Sequence, residues 1–240
     1  MNTKFEALSS QTHANLKINP VHGYGFAKNT HLTSLVLHEF PECSAHYPIV
    51  FVKKPDSEQF HPVALLGLEV GENLFVDAAG AWSAGTYVPG AFRRYPFGLA
   101  TVPGREGMII CFDANSQNLS QEKGEPLFGS DGQETEFLKK IRSFLVEMYN
   151  SELFAEKFTI KLQELDLLVP GNLQINTPNG SNRFDGVFLI DENRLSQLSD
   201  EQFLSLREHG YLAAIYTQMV SLLQIKKFFA KKSQGPAPLP

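Results

Sequence analysis

Residues 131–149 read DGQETEFLKKIRSFLVEMY, and the spacing inside this stretch decides the fold class. Apolar residues fall at Phe137, Leu138, Ile141, Phe144, Leu145, Met148 and Tyr149. Steps of one, three and four put them on one face of an α-helix, which is expected to be buried along that face. Asp131 stands at the expected N-cap with Glu134 three residues on, the spacing of a reciprocal cap. The same face continues through Phe154, Phe158, Leu162 and Leu165, with Pro170 expected to stop it.

Toward the N-terminus the period changes. Short apolar runs at 35–37, 49–52, 63–68, 74–76 and 108–112 are bounded by Gly, Pro, Asn or Asp, the pattern of strands and turns. Strands this close together cannot be joined by helical crossovers, so antiparallel pairing is expected. Pro41 and Pro89 each suit a first helical position, ahead of short helices at 42–46 and 90–95. Toward the C-terminus, Asn179-Gly180 lies between the apolar runs 173–175 and 184–190, the signal of a tight hairpin. Ser199 with Gln202 makes a second capping box. Beyond it Leu212, Ile215, Tyr216, Met219, Val220 and Leu223 form a second amphipathic face. The expected fold is α+β. A largely antiparallel, twisted N-terminal sheet with short helices is packed by C-terminal amphipathic helices, with a late β-hairpin. Residues 1–20 are expected to be a flexible segment, 21–230 one domain, and 231–240 a disordered Pro-rich tail.

Composition narrows the function. The 240 residues are 42% hydrophobic, enough for a substantial core, and 19 of them are Phe, so that core is aromatic-rich. A formal net charge of −5 lacks the concentrated Lys and Arg that neutralise a phosphate backbone, which argues against nucleic-acid binding. No run is long and apolar enough to span a membrane. Residues 1–20 hold no apolar signal core, and Cys43 and Cys111 have no disulfide or metal spacing. A cytoplasmic protein with two buried thiols is expected.

A set of motifs adds a resemblance. It comprises Glu39-Phe40-Pro41, Tyr47-Pro48-Ile49-Val50-Phe51, Leu65-Leu66-Gly67-Leu68 and Gly71-Glu72-Asn73-Leu74-Phe75-Val76-Asp77. It continues with Trp82, Tyr87-Val88-Pro89, Arg93-Arg94-Tyr95-Pro96-Phe97, Leu127-Phe128, Gly132 with Thr135, and Leu165-Asp166-Leu167-Leu168-Val169-Pro170. In this order they resemble the bacterial SapC family, from about residue 21 to residue 223. The family is named for a surface layer, and it is known beside flavin-dependent halogenase-like proteins, cupin-like proteins and TonB-dependent receptors. The resemblance therefore implies an accessory role in uptake or modification of a substrate, and it carries no catalytic residues.

Six of the seven histidines, His13, His22, His31, His38, His46 and His61, lie in the first quarter, near Glu39 and Glu42. Their spacing matches no compact metal motif, so no metal is expected. Arg93 and Arg94 follow Pro89 beside Tyr95 and Phe97. Two forked cations among aromatics suit an anionic or aromatic ligand. Trp82 and Tyr87 upstream would complete one wall of that site, with Asp77 at its edge. The competing structural reading locks an Arg to Glu39, Glu72 or Asp77. Asp77 and Asp113 each end an apolar run, where a carboxylate pair could share acid and base work, though such an Asp more often closes a turn. No nucleophile elbow or phosphate loop occurs, and no cofactor is expected. Lys226, Lys227, Lys231 and Lys232 at a helix end read as a solvated terminus. The leading expectation is a non-catalytic binding or accessory protein for a small molecule, a peptide or a partner enzyme, its oligomeric state open. An enzyme with an unfamiliar site at 82–97 and a surface-layer component are the alternatives.

Overall fold

The computed structural model describes residues 4–19, 23–101, 107–171, 173–177, 180–184 and 186–228. The chain opens with β1 (Phe5–Ala7), α1 (Ser10–His13), β2 (Lys17–Ile18) and β3 (Leu32–Ser34). Then come α2 (Phe40–Ser44), β4 (Ile49–Lys53), β5 (Phe60–Leu65), α3 (Gly90–Arg93), β6 (Phe97–Thr101) and β7 (Met108–Asp113). Two short strands, β8 (Leu119–Ser120) and β9 (Glu125–Pro126), precede the long helix α4 (Glu136–Glu164). The remainder comprises β10 (Leu168–Pro170), β11 (Leu173–Thr177), β12 (Gly180–Phe184), β13 (Val187–Ile190), α5 (Glu192–Ser196), α6 (Asp200–Glu208) and α7 (Leu212–Ser221). The α+β class expected from the sequence is the class observed.

These elements form two compact units. The first combines Met1–Tyr24 with Gly90–Asn150, the second Gly25–Pro89 with Ser151–Pro240. In the first unit β7 is flanked by β6 and β1, all antiparallel, and β2 lies between β8 and β9. Residues expected to be a flexible N-terminal segment thus supply a strand to each sheet. The first unit's core joins Ile18, Phe97, Ile110, Phe112, Leu127, Phe128, Leu138 and Leu145.

The second unit holds a five-stranded antiparallel sheet in the order β10-β13-β4-β5-β3. Ile49, Val50 and Phe51 of β4 are all fully buried, so both faces of this strand are covered and its sequence is continuously apolar. Pro62 sits inside β5 without breaking it. Its carbonyl accepts from Leu35 N–H at 3.0 Å, so its missing N–H faces the side where β3 has already ended at Ser34. The sheet is less N-terminal than expected, because β10 and β13 come from the second half. Run 74–76 forms no strand, only an isolated bridge from Val76 to Trp82. The hairpin pairs Thr177 with Gly180, so Gly180 is a strand residue and the loop positions 178 and 179, with Asn179, lie outside the described residues. Tail residues 231–240 lie outside them as well.

Helix α4 starts later and stops earlier than the sequence suggests. Thr135 Oγ1, and not Asp131, takes a first-turn amide, that of Leu138. Asp131 instead closes a tight turn by accepting from Gln133 N–H at 3.0 Å, and Glu134 pairs with Arg142. At the other end Asp166 adopts φ 54°. Its N–H bonds the Gln163 carbonyl, while Leu167 N–H reaches back to Leu162 at 2.9 Å. Leu162 and Leu167 are both fully buried, which makes a complete left-handed helix stop well before Pro170. Along the helix Leu138, Leu145, Met148, Ala155, Phe158 and Leu162 are buried, whereas Phe144 is half-buried and Tyr149 and Phe154 are exposed. The apolar face read from the sequence is thus only partly the buried face. The second capping box is present, with Ser199 Oγ accepting from Gln202 N–H and Gln202 Oε1 from Ser199 N–H.

Phe158 touches Phe40, Phe51 and Tyr211 ring to ring. Phe158→Ala is expected to cost about 3–5 kcal/mol in urea unfolding. Phe154→Ala, at a 43% exposed position, should cost less than half as much, and equal losses would refute this packing.

His61 supplies a pH signature. Its Nδ1 is buried and has no hydrogen-bond partner among the described residues, and burial, with Lys54 nearby, pushes its pKa down. The unfolded chain therefore takes up this proton more readily than the folded one. His61 should leave stability untouched above its ordinary pKa of about 6.5 and erode it as pH falls below that value. Thermal melts of His61→Gln against wild type from about pH 8 to about pH 5, across that titration, should show a flatter acid limb in the variant.

Candidate functional site

Residues 66–89 follow β5 without a helix or strand of their own. Ordering so long a segment costs on the order of 1–2 kcal/mol per residue in backbone entropy, so strong fixtures are required. Asn73, buried, supplies one, donating to the Ala27 carbonyl at 3.0 Å and accepting from Phe75 N–H at 2.9 Å. Gly67 supplies another, since a Cβ there would sit 2.2 Å from the Glu72 carbonyl oxygen. Leu74 N–H bonds Leu66, and Ser83 N–H bonds Phe75.

The last part of the segment is held by a buried polar network in the second unit. The indole Nε1–H of Trp82 donates to Tyr47 Oη at 3.2 Å, and Tyr47 Oη–H donates in turn to the Tyr87 carbonyl. The Tyr87 hydroxyl donates to Glu39 Oε1 at 2.9 Å, and Glu39 Oε2 accepts from Val36 N–H at 3.3 Å. Glu39 is 1% exposed and Tyr47 fully buried. Burial drives the Tyr47 hydroxyl well above the ordinary tyrosine range, so it stays protonated and remains a donor. Phe75 lies edge-on to Tyr47 and stacks with Trp82, and Phe228 packs against it. Trp82 and Tyr87 themselves are half-buried.

The six expected site residues divide between the units. Trp82 and Tyr87 are brought together through Tyr47. Asp77, in the same unit, is exposed and closes a turn, its Oδ1 accepting from Ala81 N–H at 2.8 Å, as strand-ending aspartates commonly do. Arg93, Arg94 and Tyr95 belong to the first unit. Arg93 is exposed and places its guanidinium 5.4 Å from the Phe144 ring centre. Arg94 is half-buried at the end of α3. The Tyr95 hydroxyl donates to Asp113 Oδ2 at 3.2 Å, and burial raises its pKa. Asp113 is 3% exposed and also accepts from the N–H groups of Lys4 and Asn115, a structural clamp for the end of β7.

Sequence reading missed Tyr47 as the centre of the network and Glu39 as its anchor. The signal for Glu39 was its place three residues after Val36, within reach of a backbone amide. Among the described residues no group of three His, Cys, Asp or Glu could hold a metal ion. His13 packs edge-on to Phe112 in the first unit, while His38 is exposed in the second. Cys43 and Cys111 are both buried thiols, and burial raises the pKa of Cys111. Two open clefts flank the turn at 129–132 of the first unit. One of about 410 Å³ is lined by Lys17, Gln121, Phe128 and Ser130, and one of about 500 Å³ by Asp131, Glu134 and Lys139. Neither contains an expected site residue.

Among the described residues no helix is long and apolar enough to cross a membrane. No curated protein and no solved structure matches the chain. Residues 8–228 match the family model for SapC, nearly the whole sequence and both structural units. The chain belongs to the SapC family.

Proposed function

We propose that this SapC-family chain is a non-catalytic binding protein whose recognition element is the 66–89 segment. The observation that carries this reading is the network from Trp82 to Glu39. It immobilises a long segment lacking regular structure and leaves Trp82 and Tyr87 half-buried. Long ordered loops are usually functional, and Trp and Tyr supply most of the energy at recognition sites.

Charge selects the ligand. No Lys or Arg occurs from Pro55 through Phe92, while Glu69, Glu72 and Asp77 lie within the segment. The anionic ligand suggested by Arg93 and Arg94 rested on residues of the other unit. A neutral or basic peptide segment of a partner protein fits the aromatic element better, with a cation able to lie over the indole. The proposal extends to an accessory role in the cytoplasm.

Trp82 is the chain's one tryptophan, so its fluorescence reports on this segment alone. Trp-free peptides rich in Lys and Arg are expected to shift or quench that emission, and Asp/Glu-rich peptides of equal length to leave it unchanged. Emission indifferent to both would remove the reading. Tyr47→Phe tests the support: it strands the Trp82 N–H and the Tyr87 carbonyl, and should cost about 1–3 kcal/mol while making the indole emission more solvent-like. A variant as stable as wild type, with unaltered emission, would show that the network does not hold the segment.

A further inference from the structure

Helix α7 is amphipathic in an unusual sense. Its inward face carries Gln218, Ser221 and, just beyond, Gln224, all buried. Each has a backbone partner: Gln218 Nε2 donates to the Ile49 carbonyl, Ser221 Oγ accepts from Ile49 N–H, and Gln224 Nε2 donates to the Ser44 carbonyl, all at 2.9 Å. The outward face is apolar. Tyr216 is 47% exposed, Val220 57% and Leu223 64%, with Leu212 and Met219 half-buried beside them.

Leu212, Tyr216, Met219 and Leu223 are spaced four, three and four apart, the alternation of a seam between two helices. Val220 widens the seam. Phe154, 43% exposed, leans on Tyr211 at its start with ring centres 5.5 Å apart. From His209 through Ile225 there is no Asp, Glu, Lys or Arg, a stretch free of the charges that interface centres also lack. Charges return only at the two ends, as an Arg207–Glu208 pair before the helix and two lysines after it. Exposed Glu208 precedes the helix, and exposed Lys226 and Lys227 follow it.

We propose that a second copy of this chain covers this face, the two α7 helices packing antiparallel about a two-fold axis midway between Tyr216 and Met219. The end charges favour this occupant. Antiparallel pairing brings Lys226 and Lys227 of each copy toward Glu208 of the other, once at each end, as an isologous contact requires. Parallel pairing would set lysines against lysines. The uncharged centre spares a chain of net charge −5 from self-repulsion where the two copies meet. The seam is short, about 17 Å from the rise of a helix, so association falls at the weak end of protein interfaces.

Sedimentation equilibrium of the full chain up to about 1 mM, the edge of measurable association, is expected to show a monomer–dimer equilibrium. Val220→Glu should abolish it, with circular dichroism showing the fold retained. If that variant does not fold, Leu223→Gln serves in its place and should weaken the dimer at least about tenfold. Glu208→Lys alone, and Lys226→Glu with Lys227→Glu, should each weaken association, and all three reversals together should restore it. Tyr216→Cys combined with Met219→Cys should form a disulfide-linked dimer on oxidation, and Lys226→Cys should not. A wild-type chain monomeric at the highest concentration overturns the proposal, as does a dimer that survives Val220→Glu. Failure of the triple reversal to restore association overturns the antiparallel register. None of these outcomes depends on peptide recognition by the 66–89 segment.

Discussion

Ile49 presents a backbone N–H and a carbonyl on the side of β4 where pairing with β13 has ended. The register pairs β13 only with Phe51 and Val52, and Ile49 is fully buried. Leaving such groups unsatisfied would cost about 1–3 kcal/mol each. Gln218 and Ser221 answer them in place of a strand, and Gln224 does the same for the end of α2. An unmet pair of main-chain groups thus dictates polar residues on the inner face of α7. The apolar stripe left outside follows from that choice.

The same rule governs the conspicuous carboxylates. Asp77, Asp113, Asp131 and Asp191 each accept backbone N–H groups at turns or a helix start, and Glu39 holds Val36 N–H with one oxygen and Tyr87 with the other. Acids arranged in this way fix the chain, and their chemistry is spent on geometry. What the second unit presents outward from this framework is apolar or aromatic: Trp82, Tyr87 and the residues along α7.

Local signals were legible wherever a few neighbouring residues decide the outcome. Pro41 opens α2 at its second position, Pro89 immediately precedes α3, and Ser199 with Gln202 starts α6, because caps and fixed φ angles act within one turn. Signals that depend on distant partners were not. Val187 pairs with Val52, and nothing in either segment names the other. The stop of α4 was misplaced because Asp166 is not the glycine that usually marks a left-handed position. The amphipathic face read on α7 mixes fully buried Ile215 with exposed Tyr216, Val220 and Leu223, because periodicity shows which residues share a face and not which of them meet the core. Of the candidate site, Trp82 and Tyr87 share one unit, whereas Arg93 to Tyr95, grouped with them by proximity along the chain, lie in the other.

The chain path crosses between the two units more than once. The first unit begins with β1 and cannot gain its partner β7 until residue 113 has been made. The second begins its sheet with β3, β4 and β5, yet β4 meets β13 only after a detour through the other unit and the whole of α4. During synthesis, therefore, the apolar edge of β4 exists for more than half the chain without its native neighbour. Open strand edges of this kind invite pairing with other nascent chains. The ribosome-bound fragment is the state in which this protein most needs protection, and no single cut releases either unit whole.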